Sequence, residues 1–196
     1  MKRCQILFFV AIFSFVTQMD VKAQQWNYQG DYSDGLAVVR DQHGKYGFVD
    51  EAGKIVSPCQ WRFAWEFHEG MAQVENEKEK WGFIDTKGNV VIQCQWFSTL
   101  SFSEDLAAVR NASGWGFIDK TGTIIISCQF PKVEPFSEGL ANVKDKNWKS
   151  GYVDKTGELV IPCIWKGAWP FSNGLATVMD EEGNVYKIDK KGKIVE

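Results

Sequence analysis

Hydrophobic and polar residues alternate along five short segments of the chain that closely resemble one another. Ala72 and Val74 flank Gln73, and the same order recurs at residues 37–39, 107–109, 141–143 and 176–178. A period of two is typical of a β-strand, whose alternate side chains face opposite sides. We therefore predict a first strand in each segment, with the shared Ala and Val columns facing the core. The variable column between them is predicted to face solvent: Val38, Gln73, Ala108, Asn142 and Thr177.

A second strand is predicted at Trp81–Asp85. It recurs at Tyr46–Asp50, Trp115–Asp119, Ser150–Asp154 and, in a diverged form, Val185–Asp189. The five Asp positions lie 35, 34, 35 and 35 residues apart, and a fixed period in this range indicates a repeat protein. Glycine inside a strand indicates that a neighbouring group approaches closely. We predict that an aromatic ring lies on each glycine of this column: Gly47, Gly82, Gly116 and Gly151.

Each second strand ends in a four-residue turn such as Asp85–Gly88. The Asp side chain caps its own backbone amides and the Gly supplies a positive φ, so these segments are predicted to be tight hairpins. The five Asp residues are not predicted to bind metal. Each turn offers one carboxylate, whereas a calcium loop needs several oxygen ligands from one segment.

A third strand follows each turn, most clearly at Val90–Ile92 and Ile124–Ile126. Such short β-branched runs are typical of a strand covered on both faces. The strand ends at a cysteine that four repeats share: Cys59, Cys94, Cys128 and Cys163. A disulfide needs Cα atoms within about 7 Å, whereas stacked sheets lie about 10 Å apart, which favours buried free thiols over disulfides. A link of about nine residues, predicted to be irregular, leads to the next first strand.

These elements predict an all-β domain over residues 24–196 that contains five three-stranded antiparallel repeats of about 35 residues, stacked as an array. The fifth repeat is diverged and is predicted to cap the array. The alternative is a small closed β-propeller. The repeats start at the aromatic Trp26, and the last one stops just before the matching Cys, so the last strand could complete the first unit.

Three linked motifs resemble the WG-repeat family of bacterial exported and cell-envelope proteins. They are Phe136–Ala141, Trp115–Gly122 and Ile161–Trp165, and they recur in register along residues 24–196. The departures are Asp105 in place of Gly, Ser150 in place of an aromatic residue, and Val185–Tyr186 in the last repeat. The resemblance implies all-β repeats. It implies no catalytic set and therefore transfers no functional residue.

The N-terminus carries the features of a secretory signal peptide at residues 1–23. Lys2 and Arg3 precede an apolar run from Ile6 to Val16, and Val21–Ala23 offers small residues for signal peptidase. The predicted mature chain starts at Gln24. Removal of residues 1–23 takes away three positive charges and one negative charge, which changes the net charge from −3 to −5. Localisation is therefore predicted to be periplasmic or secreted, without a membrane span after cleavage.

Composition and motifs argue against several functional classes. An acidic chain without a basic stripe is not expected to bind nucleic acid. No phosphate-binding loop, Cys-x-x-Cys pair or nucleophile elbow occurs, and neither His43 nor His68 recurs or lies beside a nucleophile. We therefore predict no catalytic residues, no metal site and no cofactor. The expected function is a non-catalytic binding or scaffold protein for a protein partner in the cell envelope.

Most of the nine Trp residues occupy columns shared among repeats, where they are expected to pack in the core. Trp65, Trp148 and Trp169 fall outside those columns. Links and loops on a rigid scaffold commonly carry recognition residues, so these three are the candidate binding residues. They leave two alternatives to a protein partner. One is glycan binding, like a lectin, by these rings; the more remote one is a glycan hydrolase that uses scattered carboxylates.

Overall fold

The computed structural model describes residues 26–195. The predicted signal peptide at residues 1–23 and the predicted mature start at Gln24 lie outside the described residues. All regular secondary structure within residues 26–195 is β-strand, which confirms the all-β prediction. Over the same span, no helix has the length and apolar character needed to cross a membrane.

The strands form five antiparallel sheets that follow one another along the chain. Sheet 1 contains β1 (Tyr28–Ser33), β2 (Leu36–Arg40), β3 (Tyr46–Asp50) and β4 (Ile55–Trp61). Sheet 2 contains β5 (Phe63–His68), β6 (Met71–Glu75), β7 (Trp81–Asp85) and β8 (Val90–Trp96). Sheet 3 contains β9 (Ser98–Thr99), β10 (Ala107–Asn111), β11 (Gly114–Ile118) and β12 (Ile124–Phe130). Sheet 4 contains β13 (Lys132–Ser137), β14 (Leu140–Lys144), β15 (Ser150–Asp154) and β16 (Leu159–Trp165). Sheet 5 contains β17 (Gly167–Ala168), β18 (Leu175–Met179) and β19 (Val185–Asp189).

The link predicted to be irregular contributes an additional strand to each sheet: β1, β5, β9, β13 or β17. In sheet 2 it pairs Ala64 with Val74 and Phe67 with Ala72, so the link carries one residue more than its partner strand. This β-bulge interrupts the alternation of apolar and polar side chains. The period of two is therefore hidden in the sequence of the link.

Each link strand turns into the next strand through a two-residue loop. In sheet 1 the loop is Asp34–Gly35, with φ of 50° and 77°, between the paired residues Ser33 and Leu36. Positive φ at both central residues defines a type I′ hairpin turn. Asp105 occupies the second position in the third repeat with a φ of 69°, so the left-handed backbone is kept where Gly is absent.

The core lies between consecutive sheets. One pair of aromatic rings recurs at each interface, with ring centroids 4.8–5.0 Å apart: Phe48–Phe67, Phe83–Phe102, Phe117–Phe136 and Tyr152–Phe171. Core clusters join sheet 1 to sheet 2, sheet 2 to sheet 3, sheet 3 to sheet 4 and sheet 4 to sheet 5. Among residues 26–195 no such cluster joins sheet 5 to sheet 1. The stacked repeat array is confirmed.

Stacking corrects the burial predicted for two columns. Gln73 and Asn142 belong to the column expected to face solvent, yet each is only 6% exposed, because a neighbouring sheet covers that face as well. The third strand was expected to be fully covered, but Val90 and Val91 are 38% and 40% exposed while Ile92 is 3% exposed. This strand forms the outer edge of its sheet, so only the residue that faces the next sheet is buried.

The glycine column of the second strand is crowded by backbone and not, as predicted, by an aromatic ring. A Cβ at Gly82 would lie 2.4 Å from the carbonyl oxygen of Ile92. The pairing shifts from Phe83–Ile92 to Trp81–Trp96, so β8 carries two extra residues that curl over the glycine. Tyr186 replaces this glycine in sheet 5, where an isolated bridge pairs Ile188 with Ile194.

The outer face of sheet 5, the last sheet of the described array, mixes polar and apolar side chains: the Lys187–Thr177 pair lies beside Val185, which is 60% exposed. Lys187 occupies the column that holds a buried Phe or Tyr in the other sheets, and its side chain is exposed. Its Nζ donates a hydrogen bond to Thr177 Oγ1 at 2.8 Å. Repeat proteins need terminal units with polar outer faces, because an exposed apolar face would lower solubility. The Lys187–Thr177 pair is the feature of the fifth repeat that fits the predicted cap.

Candidate binding sites

The shared acidic side chains of the turns bind backbone amides of the next repeat. Glu69 accepts hydrogen bonds from the backbone N–H groups of Glu104 and Asp105, at 2.7 and 2.9 Å. The same contact joins Glu104 to Gly139 and Glu138 to Gly174. The amide of Gly174 lowers the pKa of Glu138. Because these carboxylates connect successive repeats, they are structural groups.

Lysines of the Asp turns reinforce these contacts. Lys155 lies 3.2 Å from Glu104, and Lys190 lies 3.3 Å from Glu138, in each case one repeat further along the chain. Lys120 contacts Glu69 and also Asp105, at 3.5 and 2.7 Å. The Glu side chains of the two-residue loops and the Lys side chains of the Asp turns thus pair along one side of the array.

The Asp turns have the predicted capping geometry. Asp85 Oδ1 accepts hydrogen bonds from the backbone N–H groups of Lys87 and Asn89, at 2.9 and 2.8 Å. The other four turns repeat this pattern at Asp50, Asp119, Asp154 and Asp189. In two of them a Thr hydroxyl also bonds the carboxylate and lowers the pKa of Asp119 and Asp154. Each carboxylate therefore serves its own turn.

The four shared cysteines are free thiols, as the sequence favoured. They are partly buried, and Cys94 Sγ lies 3.7 Å from the carbonyl oxygen of Val74. Burial raises the pKa of Cys59, Cys94, Cys128 and Cys163. A raised pKa suppresses the reactive thiolate, so these residues suit a packing role.

Trp65 belongs to a group of four rings at the junction of sheets 1 and 2, hereafter the aromatic cluster: Tyr46, Phe63, Trp65 and Trp81. Phe63 lies at its centre, with ring centroids 4.9 Å from Tyr46, 5.1 Å from Trp65 and 6.1 Å from Trp81. The guanidinium of Arg40 lies 5.6 Å from the centroid of Tyr46. Trp65 remains 48% exposed, so the cluster presents one large ring to solvent on a packed aromatic base.

Trp148 is 60% exposed and has a left-handed backbone, with a φ of 61°. Its loop is capped by Asp145, whose Oδ1 accepts hydrogen bonds from the backbone N–H groups of Asn147 and Lys149 at 2.9 Å. The equivalent position in the other repeats holds Gly44, Glu79, Gly114 or Gly183. A bulky residue with this φ is strained, and such strain often accompanies a functional position.

Trp169 forms one wall of a cleft of about 340 Å³ between sheets 4 and 5, hereafter the sheet 4–5 cleft. Pro170 and Ala168 continue that wall, while Glu134 and Lys144 lie among the polar lining residues. Trp169 is 48% exposed, and its carbonyl oxygen accepts a 2.6 Å hydrogen bond from Tyr152 Oη. Burial raises the pKa of Tyr152, so its hydroxyl remains a proton donor.

The structure brings two of the three predicted Trp residues into one region. Lys144 lines the cleft beside Trp169, and its Nζ donates a 3.0 Å hydrogen bond to the carbonyl oxygen of Trp148. Trp65 lies apart from them, at the junction of sheets 1 and 2.

Three contributors to this region were missed from the sequence: Lys144, Ser150 and Tyr152. Ser150 stands where the first three repeats carry Tyr or Trp, and Tyr152 stands where they carry Phe, so these departures were the available signal.

The chain is similar to solved structures of low sequence identity. It is similar to the computationally designed Ika8 protein, with a TM-score of 0.51 and 10% identity over 85% of this chain and 59% of that chain. It also matches BamB from Moraxella catarrhalis, with a TM-score of 0.48 and 14% identity over 86% of this chain and 59% of that chain. The chain thus spans about 59% of the length of both proteins. No curated protein matches it.

The repeats also match a family model. The WG containing repeat is found at residues 46–79, 81–113, 115–147 and 151–184, which together make up more than half of the chain. These matches contain the second strand and its Gly column in four consecutive repeats. The chain belongs to the WG containing repeat family.

Proposed function

We propose that this repeat protein is a non-catalytic scaffold that binds a protein partner through the aromatic cluster. Trp, Tyr and Arg are the residue types enriched at the energetic centres of protein interfaces. Trp65, Tyr46 and Arg40 supply all three types at the junction of sheets 1 and 2.

The packing of Trp65 is the observation that carries this proposal. Its ring contacts Phe63 edge to face, with an interplanar angle of 62°, and Phe63 is itself packed between Tyr46 and Trp81. An anchor already held in place loses little side-chain entropy on binding. An exposed ring on such a base therefore favours association with a complementary apolar pocket.

The occupied carboxylates support a non-catalytic role. General acid–base chemistry needs a carboxylate free to exchange a proton with substrate. The acidic turn column bonds backbone amides of the next repeat, and the Asp turns bond their own. These shared carboxylates are therefore committed to the fold.

The partner is expected in the cell envelope. The predicted signal peptide at residues 1–23 supports export to the periplasm or beyond, and the acidic net charge disfavours nucleic acid. The proposal requires no cofactor and no metal.

A matched pair of variants tests this function in a pull-down from envelope extract. Trp65 and Trp169 occupy the same column, in which the third repeat carries Leu100, so Leu is a residue the fold accepts there. We expect Trp65→Leu to lose a specifically captured protein and Trp169→Leu to retain it. The proposal fails if no protein is captured, or if Trp65→Leu captures it as well as the parent does.

A further inference from the structure

We propose that the sheet 4–5 cleft binds a neutral saccharide ring, with Trp169 as its stacking surface. This site is separate from the aromatic cluster and does not depend on the protein-binding proposal. Its volume of about 340 Å³ lies within the range of small-ligand sites.

The cleft and the aromatic cluster occupy equivalent places in the array. In the cluster, Tyr46 and Phe63 fill the space beneath Trp65. At the junction of sheets 4 and 5 the corresponding residues are Ser150 and Gly167, which both line the cleft beside Trp169. The cleft therefore exists because a serine and a glycine stand where the aromatic cluster has two large rings.

The apolar wall is held rigidly. Trp169 donates its backbone N–H to Thr177 at 3.0 Å and accepts the Tyr152 hydroxyl at 2.6 Å. Tyr152 replaces the Phe of the first three repeats, so the hydroxyl that fixes Trp169 is itself a departure from the repeat. A Cβ at Gly167 would lie 3.5 Å from two atoms of the indole ring, so the ring lies against the glycine backbone.

The polar lining suits hydroxyl groups. Lys132 Nζ lies 2.8 Å from Glu134 Oε1, which leaves the second oxygen of the carboxylate able to accept hydrogen bonds from a ligand. The negative face of an indole attracts the positively polarised C–H groups of a sugar ring. A cleft that combines a stacking surface with a charged pair offering both donors and acceptors matches a pyranose, which is apolar on its face and polar at its edge.

The hydrogen bonds that Lys144 already makes favour a neutral ligand over an anion. Its Nζ donates to Trp148 O at 3.0 Å, Ser150 Oγ at 3.1 Å and Lys166 O at 3.3 Å. An ammonium group has three donors, so protein oxygens use all of them. A phosphate or carboxylate would have to break one of these bonds to reach the charge.

The test is calorimetric titration of the mature protein with cellobiose, maltose, lactose, diacetylchitobiose and glucuronate. We expect at least one neutral disaccharide to bind with a dissociation constant below about 10 mM. Trp169→Leu should weaken binding roughly tenfold or more, which corresponds to about 1.4 kcal/mol. Trp65→Leu, the matched change in the same column, should leave it unchanged. Gly167→Phe, which restores the residue found at Phe63, should fill the cleft and abolish binding.

Two results would overturn the assignment. One is the absence of binding by all four neutral disaccharides, whether or not glucuronate binds; the other is an equal loss in Trp65→Leu and Trp169→Leu. Neither of them affects the pull-down, which depends on Trp65.

Discussion

Single residues depart from the repeat at the places where the surface becomes distinctive. Ser150, Gly167 and Trp169 together turn an aromatic junction into a cleft. Trp148 sits in a loop position where three other repeats have Gly. Because the shared columns hold the fold, such departures can be compared directly with their counterparts in other repeats.

Trp148→Gly should stabilise the fold by about 1 kcal/mol, because glycine adopts a positive φ without a Cβ clash. Glu79→Gly is the matched control, since Glu79 occupies the equivalent position with a φ of 57°. Both variants should therefore show a higher midpoint in urea melts. A lower midpoint for Trp148→Gly alone would mean that the indole packs on the fold and that its strain is compensated by those contacts.

At the scale of elements, the second and third strands depend on each other through the Gly column. The two extra residues of the third strand curl against Gly47, Gly82, Gly116 and Gly151. In the fifth repeat the same column holds Tyr186.

Gly82→Ala should destabilise the protein by about 2–3 kcal/mol, since its Cβ would lie 2.4 Å from a backbone oxygen that cannot move freely. Gly53→Ala is the control. That glycine has a φ of 77° and no atom within 4 Å of the added Cβ, so only the conformational cost of about 1 kcal/mol is expected. Urea melts of the two variants measure the difference. Equal losses would show that β8 can withdraw from the glycine.

At the scale of the whole molecule, the last sheet of the described array carries a lysine in the aromatic column. Phe48, Phe83, Phe117 and Tyr152 are fully buried against the following sheet, whereas Lys187 in the same column is exposed. Stacking another sheet on this face would bury the Lys187 ammonium, and that burial is costly.

Lys187→Phe should make sheet 5 associate with another copy, because an apolar sheet face favours burial against a complementary surface. Light scattering should show a mass that rises with protein concentration. Lys191→Phe adds the same ring in an exposed turn and should remain at the parent mass. If both variants keep the parent mass, Lys187 does not prevent stacking.

The sequence by itself determined the repeat, three of the strands in each repeat and the turns. These features depend on local chemistry: Asp85 caps amides within four residues, and Asp105 keeps a left-handed φ that its neighbours impose. Trp65, Trp148 and Trp169 could be singled out because they break shared columns, and all three side chains are exposed.

Only the tertiary structure decided which faces are covered and where a cleft opens. Gln73 is buried by a neighbouring sheet, whereas Val90 is exposed on an outer edge, so alternation along one strand could not predict the burial of either. A bulge hid the link strand from the periodicity of the sequence. The cleft combines Ser150, Gly167 and Trp169 from two sheets, and such an arrangement depends on how the sheets stack in space.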